Sequence, residues 1–417
     1  LDRRVSLENE DTREMNMTLI QRGMTAVLAL AAASCGTGVP HAGTWLARTT
    51  SDTLTLREIH EGWCSLDSAS RAGFLSDSNP GRAYIEAAAY RSVIESAVRE
   101  AGYLDTPFIS SVQRSWLRTE AASAMRRMLE AQETSQFAGE GLSSGVIRPD
   151  HRLWISLSRS GFNPASVGPF FLFELPPDLA DSFEGAAPGA QADAGDGFHY
   201  QLDSVDTGQP GGPGTGLPGG IAGDTVSVEE IIQGRVRFRF SDELARLWAG
   251  GTVGVDTVLM DGLASLYADS APTGGLSGPL LVCGYGTWTP DDIAMEVEFF
   301  RTRLPFTPSN RQWMGFVIDN ILQQSRFAAM LADSAPDVYD SLALESKDYS
   351  LSISFDAIRS DSVLARMEPG LAGDPAEVSR ATDEWLASTA GRFGLEFNEE
   401  ALAVLPVDPD GWIPLLE

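Results

Sequence analysis

Two stretches decide how this chain is read: residues 151–157, His-Arg-Leu-Trp-Ile-Ser-Leu, and residues 197–202, Gly-Phe-His-Tyr-Gln-Leu. Each is short, carries aromatic or branched side chains and is bounded by turn-forming residues, so each reads as a strand. Phe170-Phe-Leu-Phe173 reads as a further strand and Asp178 to Ala187 as a short helix. The loop Ser158–Ser166 separates the first strand from the Phe170 segment. Outward from this β region the pattern turns helical. Leu54-Thr-Leu-Arg-Glu58-Ile59 opens a helix, because Thr55 and Glu58 have the spacing of a capping box. A long helix over 81–101 carries Tyr90, Ile94, Ala97, Val98 and Ala101 on one face and stops at Gly102, and another spans 107–133 with Leu117, Ala121, Ala124 and Met128 in its stripe. Downstream, Thr289 is an N-cap candidate, Pro290 suits the first helical position, and Asp291 and Asp292 complement the positive end of the helix dipole. Long helices are expected at 308–333 and 374–393. The fold class expected is therefore α+β, mostly α.

The chain has 417 residues, enough for two or three domains. It is 43% hydrophobic and 21% charged, so it can bury a core. Thirty basic residues stand against 58 acidic ones, a formal net charge of −28, and Lys347 is the only lysine. That charge repels nucleic acid and anionic membrane faces and leaves basic or neutral partners, unfolded polypeptides among them.

Near the start, Arg22, an apolar run from Met24 to Ala33 and then small residues up to Cys35 form a secretory signal. The run is about half of the roughly 20 residues that a spanning helix needs. Ala32-Ala33-Ser34-Cys35 resembles the lipobox of bacterial lipoproteins, which implies acylation of Cys35; Gly36 after it favours the outer membrane. The organisation expected is an upstream segment and lipoprotein signal (1–35), a tether (36–53), a helical module (54–140), a small sheet domain (145–207), a Gly/Pro-rich linker (208–223), and a mixed, then helical, region (224–417). Residues 288–333 repeat the order of 54–131, a capped short helix and then a long apolar-faced one, which points to an internal repeat. Cys64 and Cys283 either pair or stand as two isolated thiols.

Several motif matches lack their context. Gly141-Leu-Ser143-Ser-Gly145 has the nucleophile-elbow pattern without the strand before it and helix after it. Gly214-Thr-Gly216-Leu-Pro-Gly219 lies in the linker, with Pro218 where a helix should begin. His60 and Cys64, one helical turn apart, make half a metal site. No metal and no cofactor are expected.

His151 and His199, two of only four histidines, lie in the two strand-like stretches. Between them Phe183-Glu-Gly-Ala-Ala-Pro188-Gly189 is an apolar anchor with a Pro-Gly turn after it. In these features the segment resembles the parvulin (PpiC) family of peptidyl-prolyl isomerases, whose first strand has the form His-Ile-Leu-Val and whose last strand has the form Gly-Tyr-His-Ile. The resemblance implies that His151 and His199 hydrogen-bond across the sheet as the catalytic pair, and that Leu175 and Phe183 line an apolar pocket for a proline ring. Such a pocket needs no nucleophile, since the barrier of about 18–20 kcal/mol is set by amide resonance. Here the segment between the two histidines is shorter than in the family, and Val167-Gly168-Pro169-Phe170 replaces the family's Gly-Gly-Asp-Leu-Gly turn. A reduced domain with weak or lost activity is therefore expected.

The flanking helices resemble the chaperone module of extracytoplasmic foldases of the SurA/PrsA type, through Leu54-Thr-Leu-Arg-Glu58-Ile59 and the helix ending Ala97-Val-Arg-Glu-Ala-Gly102. That likeness implies a lipid-anchored chaperone of the periplasm, binding unfolded or nascent secreted and outer-membrane polypeptides, with residues 224–417 containing a second such module. The alternatives are an active isomerase and a non-catalytic structural or interaction lipoprotein of the cell envelope.

Overall fold

The capping box expected at Thr55 forms: Glu58 N donates to Thr55 Oγ1 at 3.3 Å and Thr55 N donates to a Glu58 carboxylate oxygen at 2.8 Å. It belongs to a computed structural model that describes residues 40–140, 146–147, 152–206, 225–269, 275–300, 309–368 and 370–416. The lipoprotein signal with Cys35, the 208–223 linker with its glycine motif, Ser143 and His151 lie outside the described residues. The chain divides into two units: unit 1 is residues 1–110 with 348–417, and unit 2 is residues 111–347. This differs from the expected boundary near 140, because the two ends of the chain pack with each other.

Unit 1 begins with an antiparallel hairpin, β1 (Trp45–Arg48) and β2 (Thr53–Thr55), and continues through α1 (Leu56–Ser65), α2 (Ser68–Leu75) and α3 (Pro80–Glu100). Asn79 caps α3 by accepting from Arg82 N at 3.1 Å, and Pro80 takes the first position, where its missing N–H costs nothing. Leu46, Leu56, Ile59 and Ile85 form the core between hairpin and helices. Helix α4 (Pro107–Glu140) leads out of unit 1, its span containing the 107–133 expected from sequence.

Unit 2 opens with a two-residue strand, β3 (Val146–Ile147), then β4 (Arg152–Arg159), β5 (Ala165–Ser166), α5 (Pro177–Phe183), β6 (Gln191–Gly195) and β7 (Phe198–Asp206). The last four strands make one antiparallel sheet in the order β5-β4-β7-β6. Phe170-Phe-Leu-Phe173 does not continue as a strand. Phe170 makes a single bridge to Leu153, and Leu172–Glu174 then turns as a 3-10 helix, because the Glu174 carboxylate accepts from Phe171 N at 2.8 Å.

After β8 (Thr225–Val226), which pairs with β3, comes α6 (Val228–Ala249). Its N-terminus is held by a capping box between Ser227 and Glu230. The inner face of the four-stranded sheet (Leu153, Ile155, Leu157, Phe198, Tyr200, Leu202) buries Phe238, Ala245 and Ala249 of this helix in the same cluster. The sheet expected as a separate domain over 145–207 therefore shares its core with a helix from beyond the linker.

The rest of unit 2 comprises β9 (Gly254–Val255), α7 (Thr257–Asp269), the hairpin β10 (Leu281–Cys283) and β11 (Gly286–Trp288), α8 (Pro290–Phe300) and α9 (Arg311–Ser334). These strands form a three-stranded antiparallel sheet in the order β11-β10-β9. Thr289 caps α8 as expected, its Oγ1 accepting from Asp292 N at 3.2 Å. Arg118 on α4 and Glu296 on α8 form an ion pair at 2.6 Å, with side chains only 8% and 2% exposed.

Helix α10 (Pro336–Ser362) leads back into unit 1, which is completed by α11 (Pro375–Arg392), β12 (Glu396–Phe397) and α12 (Glu399–Leu402). Strand β12 pairs with the free edge of β1. Trp412 is fully buried against Gly81, where an added Cβ would lie 2.7 Å from the indole and 2.9 Å from Val407 O. Trp63 Nε1 donates to Asp410 at 3.0 Å. The fold is α+β and mostly helical, with small antiparallel sheets.

Candidate functional site

β4 and β7 are neighbours at the centre of the four-stranded sheet, and their pairing fixes what each side chain faces. His199 stands opposite Ser158 on β4 and Asp193 on β6. At the other end of the pairing, Arg152, the first described residue of β4, meets Asp206. The register therefore sets the start of β4 against the end of β7, six residues along the strand from Ser158. His199 has Ser158 Oγ donating to its backbone carbonyl at 3.3 Å.

Strand alternation sends His199 to the solvent face, since its neighbours Phe198 and Tyr200 are both buried. Around it that face is polar. Ser156 Oγ and Gln201 Nε2 both donate to Asp203 Oδ1, at 2.9 and 3.1 Å, and Gln191 Nε2 donates to Gln201 at 3.4 Å. Trp154 is the large apolar side chain left exposed on β4.

Leu175 and Phe183 lie on the other side of the sheet, each only 1% exposed, within the cluster that α6 closes. The Pro188-Gly189 turn forms between α5 and β6; Gly189 adopts a φ of 95°, which favours glycine, and its N–H donates to Leu202 O at 2.7 Å. The structure thus brings Leu175 and Phe183 together and holds His199 apart from both. Both side chains are packed within the core of that cluster.

Two polar groups that sequence reasoning passed over tie this sheet to α6. Tyr200 donates to Asp242 Oδ1 at 2.9 Å, and Arg246 Nε donates to Asp242 Oδ2 at 2.9 Å while its Nη2 reaches Ala194 O at 2.8 Å. Burial pushes the Asp242 carboxyl up, and burial together with the Asp242 charge pushes the Tyr200 phenol well above its ordinary range. Glu174, also buried, accepts from Arg237 and sits directly over Gly234. The signal in the sequence was the run Arg235-Val-Arg-Phe-Arg-Phe240, whose alternation has the look of a strand.

His60 and Cys64 do meet, with Cys64 Sγ 3.7 Å from the ring nitrogens, on an exposed stretch of α1. Cys64 and Cys283 are both free thiols, the first exposed and the second half-buried. Among the described residues no three His, Cys, Asp or Glu side chains converge as a metal site, and no helix is long and apolar enough to cross a membrane. No protein-family model, curated protein or solved structure matches the chain.

Proposed function

We propose that the protein is a non-catalytic chaperone of the SurA/PrsA type, lipid-anchored through Cys35 in the cell envelope and holding unfolded translocated polypeptides. The observation that carries the reading is the sheet over residues 152–206. Its first and last long strands are neighbours, as the parvulin resemblance requires, and a Phe-bearing helix with a Pro188-Gly189 turn lies between them. The side chains that isomerisation would use are divided between two faces: His199 on the wet one, and Leu175 and Phe183 sealed in the core. Catalysis by a positioned pocket requires these groups to converge on one substrate. The surviving role is therefore binding, with strong negative charge keeping a loaded complex in solution.

The test is suppression of aggregation when an outer-membrane polypeptide is diluted from urea into an equimolar amount of the full chain. Light scattering should fall, and it should fall equally with His199→Ala. Undiminished scattering would favour a structural lipoprotein instead. Proline-isomerase turnover that disappears in His199→Ala would overturn the non-catalytic assignment.

A further inference from the structure

We infer that the chain carries two copies of one α/β module, one of them cyclically reordered so that the C-terminal end of the chain closes it. The continuous copy is residues 228–334: α6, β9, α7, the β10–β11 hairpin, α8 and α9. The divided copy is unit 1, in which α11, β12 and α12 come from the end of the chain, while the β1–β2 hairpin, α1 and α3 come from its beginning.

The correspondence holds residue by residue. One constant shift along the sequence carries Leu46, Ala47, Leu54, Thr55, Ile59 and Trp63 onto Leu280, Leu281, Trp288, Thr289, Ile293 and Val297. Leu46, Ala47, Leu280 and Leu281 are all 0% exposed, and Ile59, Trp63, Ile293 and Val297 are all buried. Ala47 is paired on one side with Leu54 and on the other with Phe397; Leu281 is paired with Trp288 and Val255 in the same manner. Both three-stranded sheets are antiparallel with the first hairpin strand in the middle.

The third strand enters each sheet in the same way. A glycine with left-handed backbone, Gly394 (φ 63°) or Gly251 (φ 67°), ends the long helix before it. The residue after the strand, Asn398 or Asp256, donates its N–H to the carbonyl of Leu46 or Leu280, at 3.0 and 2.9 Å. That same residue caps the next helix with its side chain. The threonine that ends the first hairpin, Thr55, and the one just after the second, Thr289, each make a reciprocal cap with an acidic residue three positions on, Glu58 or Asp292. The second helix in each copy starts at an asparagine cap, Asn79 or Asn310, and packs against the helix that precedes the third strand. Strand pairing, left-handed glycines and caps are independent requirements, and all of them recur at matched positions. The copies differ in α2, which is added in unit 1, and in α12, a single turn where α7 runs from Thr257 to Asp269.

The reordering has a mechanical consequence that does not depend on the chaperone reading. In residues 228–334 the third strand is joined to the hairpin through α7 and the short segment 270–280. In unit 1 the same strand is held to the hairpin only by non-covalent contacts and by the long path through unit 2. Residues 375–402 are a clasp that closes the module of the β1–β2 hairpin across the whole of the intervening unit 2 sequence.

The test is a full-length permuted chain, in which residues 374–416 are moved ahead of Thr44 and joined by a flexible linker as long as 270–280. Native-state amide exchange should leave Leu46, Ala47 and Ile59 protected to within about tenfold of the parent. A permuted chain whose unit 2 amides stay protected while those three exchange freely overturns the inference. Should the permuted chain fail to fold, the native-order protein cut in the exposed loop between Ala372 and Gly373 decides. Retention of the released piece through gel filtration, or its departure together with the protection at Leu46, supports the clasp. Departure with Leu46 protection unchanged refutes it.

Discussion

Gly234 is the position at which the structure makes its sharpest numerical claim. It lies in the middle of α6, where alanine is normally favoured over glycine by about 1 kcal/mol. A Cβ placed there would stand 2.5 Å from Glu174 Cγ and 3.0 Å from its Cβ, so the clash falls on the stem of the side chain and rotation of the carboxylate does not relieve it. Forcing a methyl group into a filled site costs about 1–3 kcal/mol. Pushing Glu174 aside also removes the acceptor of Phe171 N and of Arg237, a loss of about 1–3 kcal/mol for a buried charged hydrogen-bond partner. Against the helical gain, Gly234→Ala should destabilise unit 2 by about 1–5 kcal/mol net. Urea titration with amide exchange resolved by unit is the right assay, because a two-unit chain need not unfold in one step. Glu174→Ala in the same chain removes the 2.5 Å clash with Cγ and leaves only the 3.0 Å approach of the two Cβ atoms, so the double variant should be more stable than the two single losses predict. A Gly234→Ala protein that is more stable than the parent would refute the packing argument, leaving only helix propensity at work.

Other expectations rest on buried charge. Glu296→Ala strands Arg118 at 8% exposure and should cost unit 2 about 3–5 kcal/mol, whereas Arg118→Met with Glu296→Leu should recover most of the loss in the same urea titration. Asp319 on α9 accepts from Trp248 Nε1 at 2.9 Å, and burial raises its carboxyl above the ordinary 3.8. Between 3.8 and that raised value the folded state holds the extra proton, so this group's contribution to stability falls as pH rises through the window. Asp319→Asn should therefore stabilise the protein at neutral pH, with the advantage shrinking as the pH drops towards 3.8; a pH-independent difference in melting temperature would contradict this.

Local chemistry was legible in the sequence wherever one residue type settles the backbone. Thr55 with Glu58 and the N-cap candidate Thr289 announced their helices, and the stripe through Ile94, Ala97 and Val98 marked a face that is buried, although its last member, Ala101, is exposed. The segment 226–250 was harder, because Arg235-Val-Arg-Phe-Arg-Phe240 alternates with period two yet folds as helix. Its apolar side chains are divided between clusters, with Phe238 against the sheet and Val236 against α4 and α9. Period is a poor guide for a helix buried on more than one side. The third strands of both small sheets are two residues long, below what any pattern announces, and the return of 375–402 to the N-terminal hairpin is a purely long-range event. The candidate site fared similarly. The strands holding His199 and the turn at Gly189 were evident from residue type, while the face on which the imidazole stands depended on register, and a one-residue slip inverts it.

The rims of the four-stranded sheet have a bearing on solubility. One rim, β5, is only two residues long, and the other, β6, carries an outward Asp193 and an irregular register before Gly195, whose φ is 74°. Short, charged and kinked borders deny a docking rail to foreign β-structure, which is how natural sheets avoid zipping together end over end. In the role proposed above, holding unfolded chains, such blunted margins would keep the molecule's own sheet from serving as a template for its clients.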